Sequence, residues 1–140
     1  MFENGISVAV LPASDIERAL RFWHDVFGLD PVNTDMGGAA FMVGSSAVLV
    51  YPSEFAGTNK ATALSIMSDD LDRDMAELRE KGVTFLEYDF PGLTTVDGVA
   101  DMDGDRGAWF EDSEGNIIAI AEPIKMSMDE ARAMLSAAAG

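Results

Sequence analysis

The sequence predicts an α+β fold built from two tandem βαβββ modules, and three observations carry that reading. Ser14-Asp15-Ile16-Glu17-Arg18, an amphipathic run and Phe27-Gly28-Leu29 form one stretch. Asp69-Asp70-Leu71-Asp72-Arg73, another amphipathic run and Lys81-Gly82-Val83 repeat it about 55 residues later. Each stretch follows an apolar, strand-like run, Ile6 to Leu11 and Ala63 to Met67. Further strand-like runs follow each one, so the whole unit is duplicated, not the helix alone.

The elements follow in order. Ile6 to Leu11 is the first strand. Ser14 is placed to cap the first helix, with Glu17 completing a capping box. Ile16, Ala19, Leu20, Trp23 and Phe27 share one face of it, and Gly28 ends it. Ala39 to Val43 and Ala47 to Tyr51 make a hairpin through Gly44-Ser45-Ser46. Ala63 to Met67 leads into the second helix, which Asp69 or Asp70 caps, which buries Leu71, Met75 and Leu78, and which stops at Gly82. Val83 to Tyr88, Ala108 to Glu111 and Ile117 to Ala121 are the remaining strands, the last two joined by Asp112-Ser113-Glu114-Gly115-Asn116. Ser127 and Glu130 make a capping box for a short C-terminal helix over 127–137, and Ala137 to Gly140 is expected to fray. The chain of 140 residues then reads as a single domain: module one about 5–52, a linker 53–62, and module two about 63–125.

Composition narrows the function. No apolar run approaches the ~18 residues of a membrane span. Glu3 and the lack of a basic cluster argue against a signal peptide. Without cysteine there is no disulfide, thiolate metal site or cysteine nucleophile, and the expected compartment is the cytoplasm. The net charge is −16, and Asp97 to Glu114 holds seven acids against Arg106 alone. Such a surface repels phosphate backbones, which excludes nucleic acid as a partner; it reads either as a solubilising acidic shell or as a rim that attracts a cationic ligand.

Three segments resemble the vicinal oxygen chelate superfamily of glyoxalases, bleomycin-resistance proteins and extradiol dioxygenases. They are Ser14-Asp15-Ile16-Glu17-Arg18-Ala19 with Phe22-Trp23 and Phe27-Gly28-Leu29; the helix from Asp69; and Ala108 to Ile117, the most specific. Gly82 to Ala100 is similar to a bacterial subgroup of the same superfamily. The resemblance implies that each module forms half of an open, curved sheet with its helix on the convex side, a cavity on the concave side, and a homodimer. In the metal-using branches, a histidine stands seven residues before each helix-capping aspartate and a glutamate four residues after the glycine of the closing hairpin. Carried over, these positions are Val8, Ala63 and Ala119, with Leu49 as the equivalent in module one. None offers the oxygen or nitrogen donor that a divalent cation needs. The resemblance therefore implies the scaffold without the metal.

Other candidate chemistry is thin. His24 is the only histidine and lies off the apolar helix face, so a two-histidine site cannot form within one chain. Asp101, Asp103, Asp105 and Asp112 have calcium-loop spacing, but Arg106 occupies the place that requires glycine. Glu87 and Asp97, beside Tyr88, Phe90 and Pro91, are the carboxylates available for proton transfer. Phe41, Tyr51, Tyr88 and Trp109 offer flat surfaces to a planar ligand, and Val8, Leu49, Ala63 and Ala119 an apolar floor. The expectation is a protein that binds a small organic molecule, cationic or neutral, with no metal or cofactor, for sequestration or resistance. The alternative is a lyase, isomerase or dioxygenase of the same superfamily that uses carboxylates or an atypical metal site.

Overall fold

The two copies agree down to the atoms that start each helix. Asp15 has φ −133° and ψ 99°, and its carboxylate accepts from the Arg18 amide. Asp70 has φ −153° and ψ 92° and accepts from the Arg73 amide. Asp15, not Ser14, is thus the cap: the extended residue directly before the first turn aims its oxygen at the free amides. The computed structural model describes residues 1–135. Its elements are β1 (Ala9–Ala13), α1 (Ile16–Phe27), β2 (Ala39–Val43), β3 (Ser46–Pro52), β4 (Thr62–Met67), α2 (Leu71–Glu80), β5 (Asp89–Phe90), β6 (Leu93–Thr94), β7 (Ala100–Met102), β8 (Asp105–Glu111), β9 (Ile117–Glu122) and α3 (Met128–Leu135). The mixed α+β class is as expected. The elements group into two compact units, Met1–Leu64 with Asp112–Ile117, and Ser65–Glu111 with the residues from Ile118 onward.

In the first unit the sheet order is β1-β3-β2. β1 runs parallel to β3, with Val10 opposite Leu49, and β2 is antiparallel to β3, with Phe41 opposite Val48. One face carries Leu11, Ala13, Phe41, Val48 and Val50, all buried. Against it α1 lays Ala19 and Trp23, and the Trp23 ring stacks on Phe41 at 4.5 Å. Gly28 closes the helix, with its amide on the His24 carbonyl and the Leu29 amide on that of Trp23. The first strand starts at Ala9, later than expected. In this register Ile6 would fall opposite Ser45, inside the turn, where it has no partner. Among the described residues the module has one strand fewer than expected, and the bridge Asn33–Ala40 extends the sheet beyond β2.

In the second unit the sheet order is β4-β9-β8-β7. Leu71, Met75 and Leu78 of α2 are buried, as are Phe85 and Phe110, whose rings meet edge to face at 5.8 Å. The strand expected over Val83 to Tyr88 is reduced to a bridge from Phe85 to Phe110 and one bond from the Leu86 amide to the Trp109 carbonyl. Thr95 ends it: its hydroxyl accepts from the Tyr88 amide at 2.8 Å, and its own amide donates to the Tyr88 carbonyl. With those groups taken, the backbone turns into the short β5–β6 hairpin. α3 carries the reciprocal box foreseen for it, with the Glu130 amide on Ser127 Oγ and the Ser127 amide on Glu130 Oε2. Residues 136–140, the end of that predicted helix and the tail expected to fray, lie outside the described residues.

Candidate functional site

The most heavily bonded carboxylate belongs to Glu114, at the tip of the β8–β9 hairpin. Its side chain is 1% exposed. Arg18 donates to it from Nε at 2.7 Å and Nη2 at 2.9 Å, the Asp15 amide at 2.9 Å, and Ser113 Oγ at 2.9 Å. Burial pushes the Glu114 carboxyl up, but Arg18 and these donors outweigh it and hold it at about 2. Asp112 Oδ1 accepts from the Glu114 and Asn116 amides, and Asn116 Nδ2 donates to the Pro12 carbonyl. The helix-start motif and the hairpin motif are therefore two halves of one polar lock. Its oxygens are fully engaged, so it holds the fold.

The positions onto which the resemblance carries the metal ligands lie elsewhere. Val8 precedes β1 and is 36% exposed, Leu49 is half-buried on β3, Ala63 is exposed on β4, and Ala119 is buried on β9. These alkyl side chains supply no donor, so they do not fit a divalent cation. Among the described residues no group of three or more His, Cys, Asp or Glu could hold a metal. His24 lies exposed at the end of α1, its Nδ1 2.8 Å from Asp30, whose hydrogen bond raises the imidazole pKa. Asp101 and Asp105 use a carboxylate oxygen each on backbone amides, those of Gly104 and Ile124.

The aromatic candidates divide by face. In the first unit, strand alternation puts Leu49 and Tyr51 with Val10 on the face away from α1. Phe41 is on the other face, fully buried against Trp23, so the structure does not bring it together with Tyr51. A single-residue difference in register decides this, and periodicity alone does not reveal register.

In the second unit, Arg106 of β8 bonds Asp72 of α2, which marks the helix-covered face. Trp109 and Glu111 alternate onto the opposite face. There Tyr88 meets Trp109 edge to face at 5.6 Å and Phe90 at 5.8 Å. Burial, and then the charge of Glu111, raise the Tyr88 phenol pKa. A Cβ on Gly107 would meet Trp109 Cη2 at 3.4 Å and the Met102 methyl at 3.6 Å, which places Gly107 directly beside the indole. Glu122 of β9 accepts from the Leu71 amide of α2, so Ala119 alternates onto the face of its strand away from α2. Sequence reasoning alone does not single out Phe90, Gly107 or Glu111 as site residues. Counting two residues each way from Trp109 reaches Gly107 and Glu111.

The two proton-transfer candidates are occupied differently. Glu87 is exposed and accepts the Thr95 hydroxyl. Asp97 has φ 51° and Gly98 φ 82°, the two centre positions of a tight turn closed by mutual bonds between Val96 and Val99. Asp97 is exposed and its carbonyl accepts from Arg79 at 2.9 Å, which makes it a turn residue.

Residues 5–120 match the family model of the Glyoxalase/Bleomycin resistance protein/Dioxygenase superfamily. The chain belongs to that superfamily. Solved structures share its fold at low identity. UcmS2 is 14% identical, with TM-score 0.65 over 83% of this chain and 96% of its own. The fosfomycin resistance protein FosX from Mesorhizobium loti is 17% identical, with TM-score 0.60 over 91% and 96%. A lactoylglutathione lyase from Agrobacterium tumefaciens is 20% identical, with TM-score 0.59 over 84% and 92%. No curated protein matches the chain. No helix among the described residues is long and apolar enough to cross a membrane.

Proposed function

We propose that this superfamily member binds a small organic molecule without a metal ion and acts by sequestering it. One observation carries the reading: the resemblance carries the donor positions of the superfamily's metal-using branches onto Val8, Leu49, Ala63 and Ala119, whose side chains are alkyl. Apolar side chains at these positions suit an organic ligand, whereas a Lewis-acid site needs nitrogen or oxygen. The exposed Glu87 and the turn residue Asp97 add no buried acid–base pair, which favours binding over turnover. A resistance role, of the kind for which FosX is named, belongs to the same reading.

Two measurements test it together. Metal analysis of protein purified without chelator is expected to find substoichiometric zinc, nickel, manganese and iron. Calorimetric titration against a panel of aromatic and cationic metabolites is expected to give at least one saturable binder that is recovered unchanged. Stoichiometric metal, or conversion of a bound compound, would overturn the proposal in favour of an enzyme.

A further inference from the structure

The face of the second unit away from α2 combines aromatic walls with an uncompensated negative charge. Tyr88 stands at 84° to Trp109 and at 70° to Phe90, so the three rings make two near-perpendicular corners. Phe90 is 51% exposed on its hairpin, and Tyr88 and Trp109 are half-buried. Glu111 follows Trp109 by two residues on β8 and shares its face. Among the described residues, Glu111 has no hydrogen bond or ion pair through its carboxylate. The arginines of this unit are engaged with other groups: Arg73 with Asp69 and Asp74, Arg79 with the Asp97 carbonyl and the Phe85 ring, Arg106 with Asp72, and Arg132 with Asp129.

Ring faces carry negative potential and attract cations most strongly where water is displaced. These walls offer few acceptors, so a cation that must keep several N–H hydrogen bonds would lose them on entry. A cation whose charge is wrapped in alkyl groups loses little. We infer that Tyr88, Phe90 and Trp109, with Glu111 as counter-charge, form a subsite for an alkylated organic cation such as a quaternary ammonium group. The net charge of −16 draws such a ligand from solution. This rests on the small-molecule reading above and narrows it to a ligand class.

Benzyltrimethylammonium and its uncharged isostere neopentylbenzene provide the test. Each is titrated into the intact protein while amide resonances are followed by NMR. The cation is expected to shift the amides of Tyr88, Phe90, Trp109 and Glu111 and to bind about tenfold tighter than the isostere. Glu111→Gln, at an exposed position that leaves the fold intact, is expected to weaken the cation about fivefold and the isostere hardly at all. Trp109→Leu is expected to abolish both shifts. Equal binding of the two compounds would overturn the cation class and leave the small-molecule reading standing. If neither compound moves these amides, the subsite is wrong, and the metabolite panel then decides the broader reading separately. An unchanged cation affinity in Glu111→Gln would remove the counter-charge role.

Discussion

Glu114 shows how much one side chain can hold. Its carboxyl sits at about 2 in the folded protein against an ordinary 4.5. A carboxyl with a depressed folded value adds stability above its unfolded value and loses it as pH falls through the folded one. The Glu114 contribution is therefore complete above about pH 4.5 and fades toward pH 2. Glu114→Gln should lower stability near neutral pH by about 2 kcal/mol. It should also flatten the dependence of urea midpoints on pH across that acidic window. A variant as pH-sensitive as the parent there would exclude Glu114 as the source. Close to it, Gly57 has φ +74°, and an added Cβ would lie 2.9 Å from the Glu114 carbonyl oxygen. Gly57→Ala should cost about 2 kcal/mol. Gly44→Ala, at φ +58° with open space around it, should cost about 1 kcal/mol. Comparison of their thermal midpoints separates close approach from backbone strain.

At the scale of the element, the helices are the most legible part of the sequence because their signals are local. Capping residues, apolar spacing and terminal glycines lie within a dozen positions of one another. The cap of α1 still falls one residue later than the capping box places it, and a pair of variants distinguishes the two assignments. Asp15→Ala removes the acceptor for the Arg18 amide and should cost about 1 kcal/mol. Ser14→Ala loses only a long 3.4 Å bond to Glu114 and its bond to Arg18, and should cost about 0.5 kcal/mol. Guanidinium unfolding of both variants, beside the parent, checks the order. Strands are less legible. The start of β1 depends on where β3 turns, and the loss of the strand expected at Val83 to Tyr88 depends on a hydroxyl seven residues beyond it. Phe41 carries the same lesson into the site. Its residue type suits a ligand, but its orientation follows from pairing with Val48, and the stack on Trp23 confirms the face.

For the whole molecule, net charge outweighs any single ion pair. A net −16 over 140 residues makes the folded state repel itself. Raising sodium chloride from about 10 mM to 0.5 M should screen that repulsion and raise the melting temperature by several degrees. The Glu114–Arg18 pair, buried on its carboxylate side, should weaken less than the exposed pairs, because salt screens surface charges more than enclosed ones. A falling melting temperature would mean that exposed pairs such as Arg73 with Asp69 matter more than the net charge.

The grouping of Asp112–Ile117 with the first unit has a consequence for how this chain can be taken apart. A duplicated fold invites cutting at the linker into an N-terminal and a C-terminal fragment. Here that cut would strand Arg18 and the Asp15 amide without their acceptor, since Glu114 travels with the other piece. The repeat is thus no longer a pair of independent copies. Each fragment by itself should stay largely unfolded, and helical signal should return only when both are mixed, because the later half of the chain supplies the closing piece of the earlier one.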